Sequence, residues 1–242
     1  MNEARVTTRG LAFDRHWMLV DEQGKFVTQR TAPEMSQIKP KLLTNRMSME
    51  MSGMGSIEVP FVASGPRLSA EIWKDTLKVQ EVSSSSSEWF SEALHRKLRL
   101  VCMPDDVSRQ VDPVFAELGD EVGFADGYSF LMLSQASLDD VSERMGSSID
   151  ALRFRPNLVI QGVSAFEEDE YRHFSINGVD FRAAKPCARC VIPTIDPETG
   201  NKNPKLTKVL AGYRTKENSI MFGQNLIHDG VGILKVGSEV LV

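Results

Sequence analysis

The apolar residues of this chain fall into short runs of strand length, each closed by glycine, proline or a polar turn. A half-buried strand shows alternate residues to a core, so such runs bury apolar surface only by pairing into sheets. "HWMLVD" (His16–Asp21) leads through the turn "EQGK" into "FVTQR" (Phe26–Arg30). That pattern predicts a β-hairpin, with Gly24 free to take a positive φ. Ser56–Ala63 and Ile72–Val82 are further strand candidates, followed by "RLVCM", "YSFLMLS" and "NLVIQG". "FSINGVDFRAA" predicts a second hairpin, because Asn177-Gly178 suits a type I′ turn. "GILKVGSEVLV", at the end of the chain, is expected to form a strand pair.

Helical spacing is rarer. Trp89, Phe90, Ala93, Leu94 and Leu98 recur at helical intervals after the serine run 83–87, whose hydroxyls can cap a first turn. Ser134 or Ser137 can cap a helix reaching about Met145, and "PKLTKVLAGY" reads as a third short helix. Many short strands with few helices predict a mixed, mainly β fold of barrel type. No GxGxxG or GxxxxGK(S/T) segment is present, which excludes the common dinucleotide and P-loop sites.

At 242 residues the chain suffices for one large domain or two modest ones. Its net charge is −5 and no long Lys/Arg run occurs, so neither nucleic acid nor a membrane surface is an expected partner. No apolar run reaches the roughly 18 residues of a membrane span, and "MNEARVTTRG" lacks the apolar core of a secretory signal. A cytoplasmic location is therefore expected. Cys102, Cys187 and Cys190 are too few for a disulfide framework in a chain this size, leaving reduced thiols available as ligands or nucleophiles.

The richest segment is "KPCARCVIPTIDPETG" (Lys185–Gly200), where Arg189 lies between two thiols. A guanidinium beside a thiol stabilises the thiolate, which suits a soft or high-valent metal or nucleophilic attack. Structural zinc needs four ligands, and no second cysteine pair exists. A thioredoxin-type pair would open a helix, whereas Val191-Ile192-Pro193 predicts strand. Packing alone also accounts for buried cysteines. In "RFRPN", Arg155 precedes Pro156 and could grip a phosphate with its fork of donors, or pair with Glu167 or Glu168. Arg15 of "FDRHW" could make a second such contact, or pair with Asp14 to close a turn. "FADGYSFL" supplies a glycine-containing loop whose amides could hold an anion, and "FGQN" (Phe222–Asn225) adds polar amide groups.

Taken in order, "GLAFDRHWMLVDEQGKFVTQR", "FADGYSFLMLSQASL", "FRPNLVIQG", "FEEDEY", "KPCARC", "DPETG" and "FGQNL" resemble the MOSC family, named for the molybdenum cofactor sulfurase C-terminal domain. The likeness is to its bacterial YcbX-type members and its mitochondrial amidoxime-reducing components, from about Gly10 to Val242. It implies an N-terminal MOSC β-barrel over residues 1–100, without the family's first strand, and the MOSC domain over 101–242. It also implies a molybdenum-molybdopterin cofactor whose metal is held by Cys190, the residue expected to be catalytic. Arg15, Arg155 and Arg189 match positions that contact the pterin and its phosphate. Asp126, Gly127, Tyr128, Asn157 and Asn225 match further pocket positions.

The reaction this implies is two-electron reduction of small N-hydroxylated compounds. YcbX-type relatives often carry a ferredoxin domain and an upstream "PVKS"-like segment whose lysine helps to hold the cofactor. Neither occurs within these 242 residues, and three cysteines cannot supply a four-cysteine cluster. Electrons are therefore expected from a separate protein of ferredoxin or flavoprotein-reductase type. The alternatives are a non-catalytic carrier of cofactor or sulfur, and a thiol redox protein using Cys187 and Cys190.

Overall fold

The computed structural model describes residues 2–242. Over the described residues the chain is mainly β, with three short α-helices, α1 (Ser84–Ala93), α2 (Gln135–Met145) and α3 (Lys205–Arg214). It divides into two compact units, neither continuous in sequence. One comprises residues 2–14, 110–194 and 202–242; the other comprises 15–109 and 195–201. Among the described residues no helix is long and apolar enough to cross a membrane.

The first unit is built on a seven-stranded sheet. Its main path runs Leu158–Ile160, Phe130–Ser134, Ser219–Asp229, Val179–Ala188, His173–Ile176 and Val240–Leu241, and Thr215–Lys216 pairs with the long strand Ser219–Asp229. A three-stranded sheet places Glu3–Thr7 between Gly232–Lys235 and Gly10–Leu11. Val6 and Leu234 join Phe130, Met132, Phe181 and Leu226 in a single core, so both sheets bury into the same interior. On the other face, Leu133 packs with Leu138 and Val141 of α2, Leu206 and Leu210 of α3, and Phe154 and Phe222. The strand Phe130–Ser134 is buried at every position, and that is why it reads as an unbroken apolar run.

Local chemistry sets the turns. Asn177 and Gly178 take φ of 52° and 78°, as a type I′ turn demands. The Ser134 hydroxyl accepts from the Ser137 amide and opens α2, which ends on Gly146 at φ 68°. The expected C-terminal strand pair does not form. Gly232–Lys235 pairs with Glu3–Thr7, whereas Val240–Leu241 pairs with His173–Ile176. Each segment completes a different sheet edge, a choice that local sequence does not encode.

The second unit holds a five-stranded sheet ordered Phe26–Val27, Trp17–Val20, Arg99–Cys102, Asp75–Glu81 and Arg67–Ile72. A three-stranded meander, Lys39–Leu42, Arg46–Met51 and Gly55–Pro60, accompanies it. The first hairpin forms as expected, although "FVTQR" contributes only Phe26–Val27. The run Ile72–Val82 is not one strand. It breaks at Trp73, where φ is 57°, and folds back to pair Ile72 with Asp75. α1 begins inside the serine run and ends at Ala93, earlier than the apolar spacing predicts. Ser83 caps it through the Ser86 amide, while Ser87 is buried and donates to Glu81.

Candidate functional site

The strand Val179–Ala188 delivers the two thiols to the rim of the seven-stranded sheet. Cys187 is half-buried and Cys190 is exposed, and no disulfide involves either. The Ile192 N–H lies 3.5 Å from the Cys190 sulfur. Where Val191-Ile192-Pro193 predicted strand, the chain makes a 3-10 turn over Ile192–Thr194. Pro193 has no N–H for a ladder, and both the amide and the hydroxyl of Thr194 donate to the Val191 carbonyl, closing the turn. Cys190 is exposed just ahead of that turn.

Arg189 does not simply flank the thiols. Its Nη1 donates to the Cys187 sulfur at 3.0 Å and its Nη2 to the Phe154 carbonyl at 2.8 Å. The guanidinium carbon lies 5.2 Å from the centroid of the Phe154 ring, and the Arg189 N–H donates to the Ile220 carbonyl. Its Nε is buried without a hydrogen-bond partner among the described residues.

Phe154 anchors the next segment. It is 1% exposed, with its ring 4.4 Å from that of Phe222. Arg155 follows at φ 56° with its side chain exposed, held in the left-handed region between buried Phe154 and Pro156. Asn157 then locks to the neighbouring strand. Its amide N–H donates to the Leu131 carbonyl, and its Oδ1 accepts from the Leu131 N–H. Its Nδ2 donates to Asp14. In this structure the Asn157 side chain is therefore committed to the fold.

Asp126 is exposed, and a Cβ placed on Gly127 would meet no protein atom, so this backbone is open to approach. The Tyr128 ring is half-buried beside Val111, Val122 and Ile227. Its hydroxyl has no partner among the described residues, and burial, helped by the charge of Asp112, raises its pKa to about 12. Asn225 lies opposite Leu131 on one side and Lys185 on the other. Arg15 belongs to the second unit, where it is half-buried at φ 46° ahead of the strand Trp17–Val20.

Arg189 thus joins the Cys187–Cys190 segment to the Phe154–Asn157 segment, and Tyr128 and Asn225 gather around Lys185. Sequence reasoning did not single out Lys185 or Phe154. Neither carries a local signal: Lys185 reaches this face through the bulge after Ala183, and Phe154 caps the 3-10 turn Ala151–Arg153. A depression of about 400 Å³ in the second unit, lined by Glu22, Glu81, Lys97, Arg99 and serines of α1, holds none of the expected site residues.

Residues 119–241 match the family model of the MOSC domain, and residues 1–97 match that of the MOSC N-terminal beta barrel domain. The chain is 30% identical over 250 residues to mitochondrial amidoxime reducing component 2 of Rattus norvegicus, covering 96% of this chain and 73% of that protein. It is 28% identical over 260 residues to mitochondrial amidoxime-reducing component 1 of Mus musculus, covering 99% and 76%. It is also 28% identical over 248 residues to a molybdenum cofactor sulfurase of Oryza sativa, covering 93% of this chain and 30% of that protein.

Proposed function

We propose, from the premise that this chain belongs to the MOSC family, that it holds a molybdenum-pterin cofactor through Cys190 and reduces small N-hydroxylated compounds with electrons from a separate protein. The chain is a molybdenum-cofactor-related MOSC protein, and the names of its relatives carry that connection. One observation carries the finer reading. An exposed cysteine follows an arginine that is bonded to the residue immediately before Arg155.

The donor set fits the group. A thiolate at Cys190 would be a soft ligand, and the Ile192 N–H already faces that sulfur. Guanidinium donors on Arg155 and the buried Nε of Arg189 suit phosphate and pterin oxygens. The open backbone at Gly127 allows a planar ring to approach closely. Among the described residues no three His, Cys, Asp or Glu converge on a metal site, so a metal at Cys190 would take its other ligands from the cofactor. When bound, such a cofactor supplies two-electron oxygen-transfer chemistry at an N–O bond. The chain's own part is positional. Arg189 fixes the thiol segment against Phe154, Arg155 offers charge, and the exposure of Cys190 leaves room for a small substrate.

Protein purified from a molybdate-supplied host is expected to contain molybdenum and pterin, Cys190→Ala to lose the metal, and Cys187→Ala to retain most of it. Equal metal in wild type and Cys190→Ala removes the ligand assignment. Turnover of an N-hydroxylated base with a supplied reductant tests the activity. The match to a molybdenum cofactor sulfurase favours a second reading, a carrier of cofactor or sulfur. Metal-loaded protein that stays inactive toward every N-hydroxylated probe, yet passes its cofactor to an acceptor enzyme, supports the carrier.

A further inference from the structure

Lys185 is a cation whose surroundings differ from those of its neighbours. Arg182, three residues earlier on the same strand, is bonded to both Asp120 and Asp229, and Arg9 is bonded to Glu121. The Lys185 ammonium instead lies 4.6 Å from the centroid of the Phe115 ring and 5.5 Å from that of Tyr128. Among the described residues no carboxylate sits at ion-pair distance from it and no acceptor takes its protons. Asp112, the acid that acts on Tyr128, uses its Oδ1 to hold the Val114 amide. Two ring faces attract a cation but leave ammonium N–H donors unused. The side chain is half-buried, so its position is fixed by packing.

Directly across the sheet, Lys185 pairs with Asn225. Opposed residues of an antiparallel pair project to the same face, with Cβ atoms about 4.5–5.5 Å apart. Asn225 stands two residues from Ile227, whose core cluster includes Tyr128 and Ala184 at its edge, so alternation puts the Asn225 amide on the face that carries Tyr128. That amide has no hydrogen-bond partner among the described residues. Register shifts lie on either side of Lys185, between Ala183 and Lys185 and between Pro186 and Ala188. Such bulges re-aim side chains and concentrate beside functional sites.

We propose that Lys185 and Asn225 form an oxyanion-binding subsite, roofed by Phe115 and Tyr128, that takes the phosphate or carboxylate of a small molecule. The ammonium supplies charge, the Asn225 amide supplies directed donors, and the Tyr128 hydroxyl is a further unused donor. As a role beside Cys190 the proposal rests on the cofactor reading. As an anion site it stands on the Lys185 geometry alone.

The oxyanion could come from the cofactor or from a substrate, and three measurements separate these sources. Inorganic phosphate is titrated into the metal-free full chain and followed by phosphorus NMR. Wild type is expected to bind it saturably. Lys185→Met and Lys185→Gln are expected to weaken that binding at least about tenfold, Lys185→Arg to preserve it, and Arg155→Gln to leave the Lys185-dependent part intact. A chain that binds no phosphate, or binds it equally after Lys185→Met and Lys185→Gln, overturns the proposal. Molybdenum content after loading then assigns the source. A loss in Lys185→Met points to the cofactor phosphate. Unchanged metal, with KM raised only for a carboxylate-bearing N-hydroxylated substrate, points to the substrate. Because the titration needs no metal, it can succeed even where Cys190→Ala shows the cofactor reading to be wrong.

Discussion

The Arg189 guanidinium donates to the Phe154 carbonyl at 2.8 Å, with the Cys187 sulfur as its other acceptor at 3.0 Å. One side chain therefore ties the strand end that carries both thiols to the turn that carries Arg155. Arg189→Ala removes both bonds and leaves a half-buried carbonyl without its charged donor. The expected cost is about 1–3 kcal/mol, since a hydrogen bond to a charged group exceeds a neutral one. Chemical denaturation measures that loss. Arg189→Lys should recover only part of it, because an ammonium lacks the planar fork that reaches two acceptors at once. A fully stable Arg189→Ala would mean that the clamp is not structural.

Asn157 bridges two segments through one amide, accepting from the Leu131 N–H and donating to Asp14. Asn157→Ala strips the acceptor from a buried strand and should destabilise the chain by about 1–3 kcal/mol. Asn157→Asp keeps the acceptor but loses the donor to Asp14 and sets a second carboxylate beside it, so it should be destabilised as well. Denaturation midpoints check both variants. An Asn157→Asp chain as stable as wild type would mean that the bond to Asp14 contributes nothing.

His228 is 7% exposed, and its Nε2 lies 2.6 Å from the Thr7 carbonyl. Burial lowers its pKa below the ordinary value, and the Thr7 bond and the nearby Asp229 and Asp120 only partly oppose that shift. The folded chain thus holds the ring neutral at pH values where the unfolded chain takes up a proton. The His228 contribution is complete above about pH 6.5, its ordinary value, and is lost as the pH falls from there toward the lower folded value. Unfolding measured between neutral and mildly acid pH should show this decline, and His228→Gln should flatten it. A parallel decline in His228→Gln would assign the acid sensitivity to other groups.

Gly223 opens the "GQN" corner of the long strand at φ 81°. A Cβ there would stand 2.5 Å from Leu133 Cδ2 and 2.8 Å from the Met132 carbonyl oxygen. Gly223→Ala must therefore strain the backbone and push against a neighbouring strand, and the strained conformation alone costs on the order of 1–3 kcal/mol. Thermal unfolding should register it, with Gly127→Ala, where a Cβ meets nothing, as the mild comparison.

Much of the architecture was legible because its signals are local. The Asn177-Gly178 turn, the Ser134 cap and the buried run Phe130–Ser134 each follow from one residue's conformational or solvation preference. The break at Trp73 was not legible. A non-glycine residue takes positive φ there only because Arg67–Ile72 pairs back on Asp75–Glu81, and that pairing energy belongs to the sheet. The same holds for the chain's last two strands, whose partners lie far away in sequence.

For the site, the inventory was readable residue by residue: two thiols around an arginine, an arginine before a proline, and the ordered segments of a MOSC chain. The assignments within that inventory came from packing. It placed the Arg189 guanidinium on Cys187 and Phe154, committed Asn157 to Leu131 and Asp14, and set Lys185 between two rings opposite Asn225. The difference is one of range. Turns and caps are settled within a few residues, whereas the partner of a charged group is whatever the packed sheet brings within about 3 Å, and register sets that distance.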